Sequence, residues 1–166
     1  MNSETKPIES PSFKDAALYI NRELSWLEFN GRVLEEAMDP VTPELEKMKF
    51  ISIFSSNLDE FYMVRVGSLS RAKEMDVDEM DPSGMNVQQQ LDGIAESTHP
   101  KVAAQYECLN RIVVPGLKKA GIHFHTIDSL PESEKIRLRD FFLDQVFPIL
   151  TPLAVDAGHP FPYLGN

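Results

Sequence analysis

The chain has 166 residues, 42% hydrophobic and 25% charged, enough for one substantial core or two small ones in a soluble globular protein. Its formal net charge of −10 argues against nucleic-acid binding, and against this segment alone gripping a long polyanion, because both need Lys and Arg to neutralise phosphates. No apolar run approaches the roughly eighteen residues of a membrane span, and "MNSETKPIESPSFKDAA" lacks the apolar centre of a secretory signal.

That first stretch, polar and carrying Pro7 and Pro11, reads as a disordered lead-in over residues 1–15. The first helix is expected in "ELSWLEFNGRVLEEAM". Ser25 and Glu28 have the spacing of a capping box, Leu24 and Phe29 that of a hydrophobic staple, and Asp39-Pro40 ends it. A second helix should start with Thr42 as cap, Pro43 at the first helical position and Glu44 and Glu46 in the first turn. Leu45, Met48 and Ile51, with Phe50 and Phe54 beside them, would form its buried side.

"IFSSNLDEFYMVRV" (53–66) then raises the main question. Ser55 or Ser56 can cap a fresh helix with Asp59 and Glu60 in its first turn, and Leu58, Phe61, Tyr62, Arg65 and Leu69 follow one helical face. "EMDVDEMDPSG" is an acidic loop, solvated and mobile. From Asn86 to Lys119 a helical pattern runs through Val87, Leu91, Ile94, Thr98, Val102, Tyr106, Leu109, Val113 and Leu117. Pro100 and Pro115 are its candidate kinks, and Ala120-Gly121 its stop. After Gly121, "GIHFHTI" alternates like a strand, Ser129–Glu132 start another helix reaching about Val146, and "FPILTPLAV" reads as a buried strand before a proline-rich loop.

Few residues offer chemistry. Neither common phosphate-binding glycine loop is present, and there is no G-x-S-x-G elbow. Cys108, alone of its kind, excludes an internal disulfide framework, makes a cytoplasmic setting the default, and reads as a packed thiol rather than a nucleophile. His123 and His125 share a strand face but lack a third metal ligand, so polar outward positions are the favoured reading. His159, between Gly158 and Pro160, suits a loop role, and His99 sits beside Pro100. Trp26, Phe29 and Phe61 could form an aromatic platform for a base, although their spacing fits helix packing equally well. Asn57 carries both a donor and an acceptor, the combination that reads an adenine edge, and free N–H groups at a helix start would suit an anion. The residues alone favour a cap or junction role for Asn57 over ligand contact.

"YINRELSWLEFNGRVLEEAMD", "KFISIFSSNLDEFYMVRVGSL" and "VFPILTPLAVDAGHPFP" resemble, in that order, the amino-terminal part of the bacterial polyphosphate kinase family, the type that autophosphorylates on histidine. The resemblance runs from about Tyr19 over the rest of the chain. It implies an ATP:polyphosphate phosphotransferase that makes inorganic polyphosphate reversibly through a phosphohistidine, with magnesium. It also implies a helical amino-terminal domain, a head domain with dimer contacts and two carboxy-terminal domains resembling phospholipase D. Those last domains carry the catalytic histidines and the magnesium and phosphate ligands. None of His99, His123, His125 or His159 lies in a matching motif, so no catalytic or metal residue is expected here.

One functional residue carries over. The asparagine before L-D-E-F contacts ATP on its base side and corresponds to Asn57, which reverses the order of readings for that residue. The expectation is a mainly α chain, an amino-terminal helical bundle (16–120) followed by the truncated beginning of an α+β head domain (121–166). ATP and ADP are the implied ligands. Polyphosphate would be held by domains outside this chain, self-association would run through the head, and the location would be the cytoplasm or the membrane periphery. The competing expectation is a non-catalytic oligomerisation or interaction module derived from the enzyme.

Overall fold

Asn21 opens the first helix. The computed structural model describes residues 12–77 and 79–163, and most of the disordered lead-in expected at 1–15 lies outside them. In α1 (Arg22–Met38) the buried Asn21 side-chain oxygen accepts the backbone N–H groups of Glu23 and Leu24, each at 3.0 Å. Ser25 and Glu28 therefore lie inside a helix already formed, and their spacing makes no capping box, which needs non-helical backbone at the cap. Leu24 and Phe29 form no staple for the same reason. Asp39 ends α1 as expected.

The second helix, α2 (Glu44–Phe61), has Pro43 rather than Thr42 in the cap position, with Glu44 and Glu46 in the first turn. Its buried row is Lys47, Ile51, Phe54, Leu58 and Phe61. Leu45, expected inside, is 58% exposed. The largest departure is at Ser55-Ser56-Asn57, where no new helix begins and α2 runs straight through. Such residues weaken helices by competing for backbone hydrogen bonds, but here two of the three have partners elsewhere. Gln105 Nε2 donates to Ser55 Oγ at 2.5 Å, Asn57 Nδ2 donates to Asn30, and flanking Phe54 and Leu58 are both core. Packing on either side overrides the local cap signal.

Helical backbone then continues through a π-helical segment, Tyr62–Val66, into α3 (Gly67–Glu74). Asp76 closes α3 with φ 54°; its N–H donates to Lys73 O and that of Val77 to Ala72 O, the paired bonds of a Schellman stop. Asn86 and Gln89 form a reciprocal capping box for α4 (Val87–Cys108), which carries Pro100 inside it. A second π-helical segment, Leu109–Val113, leads into α5 (Val114–Lys119). Gly121, φ 87°, makes the same stop through Gly121 N–H to Lys118 O and Ile122 N–H to Leu117 O.

α1 packs on both α2 and α4. The core between them holds Leu27, Leu34 and Ala37, then Ile51, Phe54, Leu58 and Phe61, then Ile94, Cys108, Val113 and Leu117. Gln105 and Cys108 occupy the inner row of α4, while Tyr106, expected there, is 59% exposed. Within α2, Lys47 is buried and pairs with Glu44 at 3.2 Å.

The chain divides into two compact units between His123 and Phe124. The second contains a 3₁₀ turn at Ile127–Ser129, α6 (Glu132–Phe141), a π-helical segment Phe142–Val146 and a 3₁₀ turn Phe147–Ile149. The strands expected at "GIHFHTI" and "FPILTPLAV" do not form. Residues 122–126 and 150–155 are not strands, and one isolated bridge, Asp156 with His159, is the β pairing among the described residues. Alternation fixes which side chains share a face; it supplies no partner strand. The chain is mainly α, as its periodicities indicate.

Candidate functional site at the junction of the first two helices

α1 presents Arg22, Glu23, Trp26 and Phe29 along one flank, spaced i, i+1, i+4 and i+7. α2 and the π segment after it present Asn57, Glu60, Phe61, Val64 and Arg65, spaced i, i+3, i+4, i+7 and i+8. These two rows enclose a cavity of about 380 Å³, within the range of small-molecule sites, roughly 300–1,000 Å³.

Its apolar part is aromatic. Trp26 and Phe61 stack with centroids 4.7 Å apart and planes 7° from parallel, and Tyr62 meets Phe61 edge-on at 6.0 Å. Phe61 is core; Trp26 is half-buried against the core and Phe29 is 48% exposed. Packing and platform thus coexist in these rings, and only Phe29 stands clear of the core.

The polar part is ordered by two fixed contacts. Glu23, buried at the start of α1, accepts from Arg65 Nε at 3.1 Å on both carboxylate oxygens and from Arg65 Nη2. That hydrogen bonding, exceeding the opposing effect of burial, holds the Arg65 guanidinium above its ordinary value. Arg22 stands at the rim, 3.8 Å from the same carboxylate and 77% exposed. Two arginines therefore face Glu23 and Glu60, and the lining carries no excess of positive charge.

The second contact concerns Asn57. Asn30 is fully buried and donates from Nδ2 to Phe54 O at 3.1 Å. A carbonyl can only accept, so this bond fixes which way the Asn30 amide points. Asn30 Oδ1 then receives Asn57 Nδ2 at 2.8 Å, which fixes the Asn57 amide in turn. The Asn57 carbonyl oxygen takes no hydrogen bond from the described residues. The backbone at Asn57 is mid-helix, so the free N–H groups expected of a helix start are not there.

The other expected residues lie apart from this cavity. Cys108 is buried, its thiol pushed up by burial and directed at Ala37 O, 3.5 Å away, which is the packed role expected. His99 is on an exposed face of α4, and His125 Nδ1 lies 3.4 Å from Ser129 Oγ. His159 closes the bridge with Asp156, its Nδ1 3.0 Å from Asp156 Oδ1. No three His, Cys, Asp or Glu side chains among the described residues converge as a metal centre. The cavity's own carboxylates, Glu23 bound to Arg65 and Glu60 with no second carboxylate beside it in the lining, do not fit a magnesium site.

Family models match in sequence order. Residues 19–125 match the polyphosphate kinase N-terminal domain and residues 133–166 the polyphosphate kinase middle domain. The chain belongs to the polyphosphate kinase family. Among its relatives, the polyphosphate kinase of Synechocystis sp. is 47% identical over 154 residues, covering 93% of this chain and 21% of that one. The Mycobacterium tuberculosis polyphosphate kinase is 47% identical over 148 residues, 89% of this chain and 20% of that one. A crystal structure of polyphosphate kinase from Porphyromonas gingivalis superposes with TM-score 0.64 at 34% identity, over 78% of this chain and 18% of that one. The chain thus spans about a fifth of the length of these polyphosphate kinases. No helix among the described residues is long and apolar enough to cross a membrane.

Sequence reasoning does not single out Arg22, Glu23, Asn30 or Val64, and reads Glu60 only as a first-turn residue. For Asn30 a signal existed: it stands on the inner row of α1, three residues after Leu27 and four before Leu34, where a polar side chain needs a partner.

Proposed function

We propose that the cavity between α1 and α2 is the base side of the ATP site of an ATP:polyphosphate phosphotransferase. In this reading residues 16–120 are its ATP-side helical domain and residues 121–166 the beginning of its head domain. The enzyme makes polyphosphate from ATP through a phosphohistidine, with the histidine and the magnesium and phosphate ligands in domains outside these residues. This piece alone performs no phosphotransfer. One observation carries the reading: Asn57, its amide fixed by Asn30 and its carbonyl unpartnered, lines an aromatic-walled cavity with room for a nucleobase. A purine can stack on apolar rings and give its amine to that oxygen.

The balanced charge of the lining supports the same division of labour, since a base can be held here without phosphate ligands. Trp26 is the chain's one tryptophan and lines the cavity, so its fluorescence reports occupancy. ATP should quench it weakly, with adenosine within about threefold of ATP, and Asn57→Ala should weaken both about tenfold. An ATP response untouched by Asn57→Ala sinks the assignment.

A second reading rests on the unit after His123, where Phe141, Phe142, Leu143, Phe147 and Leu153 are 56%, 43%, 47%, 58% and 70% exposed. Such a surface suits an association module. Light scattering over a concentration series tests it, and a strictly monomeric chain removes it.

A further inference from the structure

Asn30 is a polar residue with no access to solvent, yet both of its hydrogen bonds run in one direction, from the α2 backbone toward the cavity. Its Nδ2 donates to Phe54 O and its Oδ1 receives Asn57 Nδ2. Phe54 O lies in the middle of α2, where a carbonyl already accepts an N–H from four residues on, so Asn30 occupies its second lone pair. Neither amide can be flipped without setting two acceptors, or two donors, face to face in a buried place. An asparagine free in solvent could turn either end to a ligand. Asn57 here can offer only its oxygen and the one remaining N–H.

We propose that Asn30 is a specificity-determining positioning residue: by locking the Asn57 amide, it makes the cavity select a purine that carries an amine at C6 over one that carries a carbonyl there. This rests on the reading of the cavity as the base side of a nucleotide site. Adenine donates its C6 amine to the Asn57 carbonyl. Held in the same register, hypoxanthine sets its C6 carbonyl against that oxygen and its N1–H against the remaining Asn57 N–H, so acceptor meets acceptor and donor meets donor. The unsubstituted purine ring neither donates nor clashes. Asn30 itself touches no ligand, because it is buried behind Asn57.

The experiment titrates Trp26 fluorescence in the unaltered chain with ATP, ITP and purine riboside triphosphate, and repeats the ATP and ITP arms in Asn30→Leu. Leucine keeps the branched outline of the asparagine side chain and removes both bonds. ATP should bind about tenfold more tightly than ITP to the unaltered chain, with purine riboside triphosphate between them. In Asn30→Leu the Asn57 amide is free to rotate and donate to the ITP carbonyl, so the ATP-to-ITP ratio should fall toward one while both still quench. A general loss of packing would weaken both nucleotides together and leave the ratio in place.

An NMR measurement on the unaltered chain stands independently of whether Asn30→Leu folds. The Asn57 side-chain amide protons should exchange with water more slowly than those of exposed Asn110. An Asn57 amide that exchanges as fast as Asn110 overturns the lock. A ratio that persists in Asn30→Leu, or ITP bound as tightly as ATP by the unaltered chain, overturns the role of Asn30 while an Asn57-dependent ATP response leaves the site reading standing. No response to ATP at all removes the site reading, and this inference with it.

Discussion

Arg65→Ala breaks the ion pair that ties the start of α1 to the π segment beside the cavity. Its cost follows from where the two charges sit. Exposed pairs couple by about 0.2–1 kcal/mol, whereas stripping the partner from a buried ion costs about 3–5 kcal/mol. Here Glu23 exposes 7% of its side chain and Arg65 39%, so the pair is buried at one end and open to solvent at the other. Discounted for that open end, Arg65→Ala should cost about 2 kcal/mol, and a cycle with Glu23→Gln should give a coupling of about 1.5 kcal/mol. Urea unfolding followed by Trp26 fluorescence reads this directly, with equal slopes in all four proteins as the condition for comparing midpoints. Salt provides the sharper check. An exposed pair is screened at about 1 M salt, where the Debye length is about 3 Å, but a contact with a buried carboxylate is screened far less. Additive single-mutant effects, within about 0.3 kcal/mol, or a coupling abolished by salt, would refute this account of the cavity wall.

Three further outcomes follow from other contacts. Gly116→Ala would drive its Cβ into the Glu44 carboxylate; displacing Glu44 from buried Lys47 should destabilise the fold by about 2 kcal/mol, and an unchanged urea midpoint would refute it. Asp76→Gly should stabilise by about 0.5–1 kcal/mol, because it relieves a left-handed residue and removes a negative charge from a helix C-terminus; Asp76→Ala, which keeps the backbone strain, should gain less in the same melt. Burial pushes the Asp81 carboxyl up, but hydrogen bonds from Ser83, Met85 N–H and Asn21 outweigh it and hold it below the ordinary aspartate value. A depressed folded value means that stability is present above about pH 4 and is lost as pH falls through the lower folded value. Asp81→Asn should remove that part of the acid limb, and an unchanged acid limb would refute the assignment.

Most helices were legible because apolar spacing near 3.6 residues survives without tertiary knowledge: Phe54, Leu58 and Phe61, or Ile94 and Thr98, fall on the inner faces where the pattern places them. Starts were harder. Asn21 and Ser25 are both good caps on composition, and the choice is made by contacts that no local window contains. Asn21 also donates to Asp81 at 2.8 Å and to Gln90 at 3.2 Å, residues far along the chain. The same holds for Ser55 and Asn57, whose partners Gln105 and Asn30 lie on other helices. At the expected strands the period of two misleads, because alternation shows which side chains share a face and says nothing of a partner strand. Of the site, the aromatic residues and Asn57 could be picked out as candidates, and Arg65 was seen on the right face. The Asn30 lock was invisible because it depends on a backbone carbonyl of another helix.

The π segment brings Arg65 more closely into line with Asn57 along the cavity wall. Asn57, Phe61 and Arg65 are four residues apart, and four residues of α-helix overshoot a full turn by about 40°. Over two such steps Arg65 would stand about 80° round the helix from Asn57. The wider turn of the π segment begins at Tyr62, between Phe61 and Arg65. A π turn holds more residues, so the second step falls short of a revolution and cancels the overshoot of the first. Arg65 is thereby brought back onto the row of Asn57 and Phe61, where Glu23 receives it. Its charge is then committed to a buried carboxylate, and among the lining residues Arg22 is the cation left at the rim. A cavity wired in this way can order a base against aromatic rings and an amide, but it has little positive charge to spend on a phosphate chain.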